Sequence, residues 1–144
     1  MKTTDAQLSA LELHYLIKEI QVLIDSKVDK IYHPEKNVLI IQLHKTGVGK
    51  NILKIKIPEY ICMTDSKSVN EKPSQFCMYL RKKLSNTFLE SIRQMEFERV
   101  VELKFRTKES ELSLVFEMFS PGNIILTEGN KILSALENQE YTER

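Results

Sequence analysis

Lys45-Thr46-Gly47-Val48-Gly49-Lys50 gathers two glycines and flanking lysines, the composition of a phosphate-cradling loop. Its spacing is wrong for one. A P-loop needs four residues between its first glycine and the Gly-Lys pair, followed by serine or threonine. Here Val48 alone intervenes and Asn51 follows Lys50, so the segment reads as a turn between strands. His14, His33 and His44 share no ligand spacing with one another or with Cys62 and Cys77, so neither a metal site nor a cofactor is expected. No serine occupies a nucleophile elbow, and neither cysteine has a histidine placed to activate it. The sequence therefore does not read as an enzyme on its own.

Charged residues carry more information. If a regular strand runs through Phe97, Val101, Leu103 and Phe105, Arg99 falls on its apolar side. A guanidinium there is costly unless paired, or unless a bulge turns it outward. Held in place, it could grip phosphate or order a partner. Arg81, Lys82 and Lys83 lie together on a helix. They read either as a solvated face or as sequence-independent contacts to phosphates. Glu12 is explained locally, because Ser9-Ala10-Leu11-Glu12 has the spacing of a capping box.

These residues must be positioned by a fold that 144 residues with 42% apolar and 28% charged side chains can build as one domain. The ordered core is expected over about 8–136, with a polar tail over 137–144. Leu13, Leu16, Ile17, Ile20, Leu23 and Ile24 recur at helical spacing after the Ser9 cap. Val28, Ile31 and Tyr32 lead into a turn at His33-Pro34, and Val38–Leu43 is a strand. Ile52, Ile55, Ile57 and Ile61 mark further strands broken at Pro58, and Thr64–Lys72 reads as a loop. Pro73 suits the first turn of a helix with Phe76, Cys77, Leu80 and Leu84 on its apolar face and Asn86 as its stop. Alternation then predicts strands from Phe97 to Phe105 and from Leu112 to Met118, and a hairpin around Glu128-Gly129-Asn130. The order predicts an α+β fold, antiparallel sheets or a β-sandwich flanked by helices.

The net charge of +1 conceals an uneven distribution: residues 45–110 hold 14 basic and 8 acidic side chains, whereas 111–144 hold 2 and 6. A basic middle fits a polyanionic partner. No apolar run approaches the roughly 20 residues that span a bilayer, and Met1–Asp5 lacks a signal core. A cytoplasmic protein without a membrane partner is expected, its two cysteines reduced.

Five segments in register resemble the NFACT family, to which NEMF and RqcH belong. Leu8-Ser9-Ala10-Leu11-Glu12-Leu13 is similar to the family's opening Ser-Ala-Leu-Asp-Leu, and Val28-Asp29-Lys30-Ile31-Tyr32-His33-Pro34 to its Val-x-Lys-Ile-Tyr-Gln-Pro. Pro73-Ser74-Gln75-Phe76-Cys77-Met78-Tyr79-Leu80-Arg81-Lys82 resembles Pro-x-x-Phe-Cys-Met-Leu-Leu-Arg-Lys. Ile92-Arg93-Gln94 with Phe97-Glu98-Arg99-Val100-Val101 resembles Ile-x-Gln followed by Asp-Arg-Ile-Val, and Gly122-Asn123-Ile124-Ile125-Leu126 resembles Ser-Asn-Ile-Ile-Leu.

The resemblance implies an N-terminal domain similar in fold to that of the formamidopyrimidine-DNA glycosylases. It implies a factor of ribosome-associated quality control. Such a factor binds a stalled large ribosomal subunit with its peptidyl-tRNA and recruits aminoacyl-tRNA, alanyl-tRNA prominently. The nascent chain then grows a C-terminal tail without mRNA; in eukaryotes a ubiquitin ligase joins the complex. The tRNA-recruiting residues would correspond to Glu12, Glu98 and Arg99, with Arg81, Lys82 and Lys83 adding charge attraction. At two of these positions the family's aspartate is glutamate here, which lengthens the reach by roughly one C–C bond. The family continues into helix-hairpin-helix, coiled-coil and RNA-binding parts beyond the region resembled. A DNA-repair glycosylase is the competing enzyme reading, but Lys2 and Thr3 stand where those enzymes carry Pro-Glu. An adhesin-type protein-binding domain is the third reading.

Overall fold

The computed structural model describes residues 9–65, 72–95 and 99–137. Helix α1 (Ala10–Glu19) starts at the expected capping box: the Glu12 N–H donates to Ser9 Oγ at 3.0 Å and the Ser9 N–H to Glu12 Oε1 at 2.9 Å. Leu13 and Ile17 are its buried stripe, continued by Ile20 and Leu23 in a tighter 3-10 turn. Among the described residues nine strands follow in one antiparallel sheet: β1 (Lys27–Glu35), β2 (Val38–Lys45), β3 (Gly49–Lys56), β4 (Tyr60–Thr64), β5 (Phe88–Gln94), β6 (Val100–Arg106), β7 (Glu111–Glu117), β8 (Asn123–Glu128) and β9 (Lys131–Ala135). Helix α2 (Gln75–Leu84) lies between β4 and β5 in the chain. The expected α+β class with antiparallel pairing is what forms.

The strand order is β4-β3-β2-β1-β5-β6-β7-β8-β9. β1 and β5 meet only around Lys27 and Phe88, so the sheet divides there into two halves. Both halves bury their inner faces in one core, with Ile31, Leu39, Ile41, Leu53 and Ile55 from the first and Leu89, Leu103, Phe105, Leu114, Phe116 and Leu126 from the second. The helices close the flanks: α1 rests against β5 and β4, α2 against β1 and β9. Apolar burial on this scale, at about 25 cal/mol per Å², is the main favourable term. Among the described residues no helix is long and apolar enough to cross a membrane.

Several local expectations change. His33-Pro34 is not a turn but part of β1, and the turn is Lys36-Asn37. Proline fits there because the register shifts between Tyr32 and Glu35, so the ladder does not need its missing N–H. His33 itself is buried. Its ring bridges Ser74 Oγ (2.7 Å) and the Lys36 carbonyl (2.8 Å); a carbonyl only accepts, so Nε2 carries a proton and donates to it. Ser74 in turn accepts the Cys77 N–H at 3.0 Å as the N-cap of α2, which puts Pro73 ahead of the helix and not in its first turn. Asn86 does end the segment, at φ 69. Glu137 is tied down: Asn123 Oδ1 accepts its N–H at 2.9 Å, and its carboxylate meets Lys36 at 2.7 Å. Thr64 closes β4, and most of the loop expected after it lies outside the described residues.

Candidate nucleic-acid interface

Glu12 sits in the first turn of α1, where its carboxylate completes the cap and faces solvent. Arg99 occupies the bend immediately before β6, half-buried, with its carbonyl accepting the Met118 N–H at 2.7 Å. The regular alternation of β6 begins at Val100, so the strand expected from Phe97 starts later. Glu98 and Phe97 lie outside the described residues. Gln94, the last residue of β5, links the two ends. Its Nε2–H donates to the Ala10 carbonyl at 3.2 Å, and its backbone pairs in register with Val101. The start of α1 and the entry to β6 therefore share one rim of the molecule.

Beside that rim an open groove of about 680 Å³ runs between α1 and β5. Its floor is apolar, from Leu11, Ile17 and Ile92, and His14, Lys18 and Arg93 edge it. Arg93 is already committed to Glu102 at 2.7 Å, and Gln21 ties the helix to the strand by donating to the Ile17 and Ile92 carbonyls at 3.1 and 2.9 Å.

Arg81, Lys82 and Lys83 form the last turn of α2, where cations complement the helix dipole. They are not equivalent. Arg81 is half-buried, donates Nε–H to the Ile31 carbonyl at 2.8 Å and lies 5.8 Å from the Tyr32 ring centroid. Lys83 sits 5.8 Å from the Tyr79 ring, and Lys82 is exposed. Arg81 thus has a structural duty at the α2–β1 contact, which helical periodicity could not reveal because the carbonyl it bonds is 50 residues away. The site residues divide into two groups: Glu12 with Arg99 on the α1–β6 rim, and the basic turn of α2 against β1.

Cys77 is fully buried and its thiol donates to the Ile31 carbonyl at 3.5 Å. Burial pushes its pKa above the ordinary thiol value, partly offset by Arg81. Burial also raises Cys62, with Lys54 opposing the shift. Neither is primed as a nucleophile. Among the described residues no cluster of three or more His, Cys, Asp or Glu could hold a metal ion.

Over residues 9–143 the sequence matches the family described as NFACT N-terminal and middle domains. This chain belongs to the NFACT family. An NFACT relative from Methanocaldococcus jannaschii, the archaeal Rqc2 homolog aRqcH, is 32% identical over 146 residues, covering 96% of this chain and 22% of that protein. The human ribosome quality control complex subunit NEMF is 28% identical over 125 residues, covering 85% of this chain and 12% of its own. The chain thus spans less than a quarter of the length of these two relatives. In structure, the N-terminal domain of the fibronectin-binding protein PavA from Streptococcus pneumoniae superposes with a TM-score of 0.83 at 26% identity, over 92% of this chain and 55% of that one.

Proposed function

We propose that this chain is the N-terminal domain of a ribosome quality control factor. In this reading it helps the factor bind large subunits that retain peptidyl-tRNA and recruit aminoacyl-tRNA for mRNA-independent tailing of the nascent chain. The observation that carries the reading is the NFACT match across nearly the whole chain, with relatives named for ribosome quality control in archaea and animals. The α1–β6 rim supports it. Arg99 is anchored through its backbone to Met118, and a guanidinium offers five donors in a planar fork suited to phosphate. Glu12 and Glu98 would add acceptors for ribose hydroxyls or base amino groups. The domain works by binding and orienting, with the covalent step left to the ribosome.

The test is sedimentation of the full protein that carries this domain. It should travel with large subunits bearing peptidyl-tRNA and far less with empty subunits. Equal recovery with both, or none with either, overturns the reading. Borohydride treatment with duplex DNA carrying an oxidised purine should trap no adduct; a covalent adduct would favour the glycosylase alternative. Matrix-protein binding is favoured by one observation, the name of the PavA neighbour. It predicts retention on immobilised fibronectin above an unrelated immobilised protein.

A further inference from the structure

The two halves of the sheet bury their inner faces together, and their outer faces differ in charge. On the outer face of the second half, Arg93 pairs with Glu102 at 2.7 Å and Lys104 meets Glu111 at 3.9 Å, while Arg106 lies 5.6 Å from the Phe88 ring centroid in the row that Lys27 begins. The first half is different. Register places Lys27, His44 and Lys50 in one row across β1, β2 and β3, Lys30, Gln42 and Ile52 in the next, and Tyr32, Ile40 and Lys54 in a third. Their sequence neighbours Val28, Ile31, Leu39, Ile41, Leu43, Leu53 and Ile55 point into the main core, so these rows face outward.

Two lysine columns result, Lys27 and Lys30 on β1 and Lys50 and Lys54 on β3, with β2 as the floor between them. Strands two apart are separated by about 9.5 Å, and Lys50 and Lys54 are about 13 Å apart along β3. The floor is flat and closed. Val38, Ile40 and Ile52 form a small apolar cluster of their own, capped by Tyr32, and Gln42 is buried with its amide donating to Asp29 at 2.7 Å. Among the described residues these four lysines join no carboxylate in an ion pair. Of the carboxylates nearby, Asp29 accepts from the neutral Gln42 amide and keeps its charge beside Lys30, Glu59 meets Lys56 at 3.3 Å, and Glu35 sits in the end row opposite Val38, so the four lysines still outnumber them on this face. Tyr32 at one wall, with Arg81 over it, and Tyr60 at the other, 5.9 Å from the Lys54 ammonium, add aromatic rings.

We propose that the outward face of β1–β4 is a trough for a single-stranded stretch of RNA, its phosphates held between Lys27/Lys30 and Lys50/Lys54 and its bases against Tyr32 and Tyr60. A cationic groove beside aromatic platforms is the arrangement that binds single strands without reading sequence. The choice of RNA rests on the ribosomal role proposed above; the trough itself rests on the register and the unneutralised charge. This surface is separate from the Glu12–Arg99 rim.

The test is fluorescence anisotropy with a labelled, unstructured 20-nucleotide RNA. Four phosphate contacts give a slope of log affinity against log salt of about −2.8 for a single strand, a loss of about 50-fold between roughly 50 and 200 mM salt. Lys50→Gln with Lys54→Gln should halve the slope to about −1.4, leaving about a sevenfold loss over the same range. Lys27→Gln with Lys30→Gln should do the same from the other wall. Lys104→Gln with Lys131→Gln, farther along the opposite half, should change neither slope nor affinity. An unchanged slope in both wall variants, or an equal drop in the control, overturns the trough while leaving the ribosomal role standing on its own sedimentation test. Binding to vesicles containing phosphatidylserine but not to the RNA overturns it in favour of a membrane surface.

Discussion

Glu12 serves the fold and, in the proposed role, the recruited tRNA, and two substitutions separate these duties. Ser9→Ala removes the hydroxyl that accepts the Glu12 N–H at 3.0 Å. Losing an N-cap of this kind costs about 1 kcal/mol. For a domain of this size that is a fall of about 3–4 °C in the unfolding midpoint. Glu12→Gln keeps an oxygen able to accept the Ser9 N–H, now held at 2.9 Å, because glutamine serves in a capping box. It removes only the charge beside the helix N-terminus, worth about 0.3–1 kcal/mol at an exposed site. Calorimetry on the chain should therefore find Glu12→Gln no less stable than Ser9→Ala. Tail addition by the full protein, measured on stalled peptidyl-tRNA, should show the opposite order: nearly lost in Glu12→Gln and retained in Ser9→Ala. If tailing instead follows stability, with Glu12→Gln active and Ser9→Ala impaired, Glu12 is a cap and nothing more.

Other expectations follow from the packing. Gly122→Ala should destabilise strongly, since φ is +87 and the added Cβ would meet the Glu117 and Phe119 carbonyls at 3.1 and 3.3 Å; Gly129→Ala, at φ +61 with open space, should cost less by the same thermal scan. Asn123→Ala should cost about 1–3 kcal/mol, because the side chain accepts the Ile124 and Glu137 N–H groups inside the protein and its loss leaves them unmet. Both thiols are raised by burial, so the folded state holds their protons more tightly than the unfolded chain does. Their contribution to stability is complete below the ordinary thiol value of about 8.5 and is lost as pH rises through the raised values. Iodoacetamide titration of the native chain should place both apparent pKa values above that of free cysteine; a value at or below it contradicts the burial argument.

Where one residue's chemistry decides local structure, the sequence was readable. Ser9 with Glu12, Asn86 at the end of α2, and the alternation through Leu112, Leu114 and Phe116 all emerge as expected. β5 was not visible, because a bulge between Leu89 and Ser91 stretches its buried positions from every second residue to Leu89 and Ile92. His33-Pro34 misled for a related reason, since a register shift beside Pro34 lets a strand contain it. For the candidate site, types and order were legible but partners were not. That Arg81 bonds Ile31, or that Gln94 ties α1 to the β6 entry, depends on contacts far apart in sequence. The lysines of β3 were visible only as part of a basic middle segment, and those of β1 lie ahead of it. Their grouping into two columns needed the register of three strands.

Tail addition on a stalled peptidyl-tRNA–large-subunit complex, comparing the full protein with its Arg99→Ala variant, tests the central claim most directly. A partly exposed polar side chain at the entry to β6 should cost about 1–2 kcal/mol when truncated, so the domain stays folded. The account predicts that the variant still sediments with the large subunit and adds no tail. A variant that remains folded and tails at the wild-type rate would contradict it.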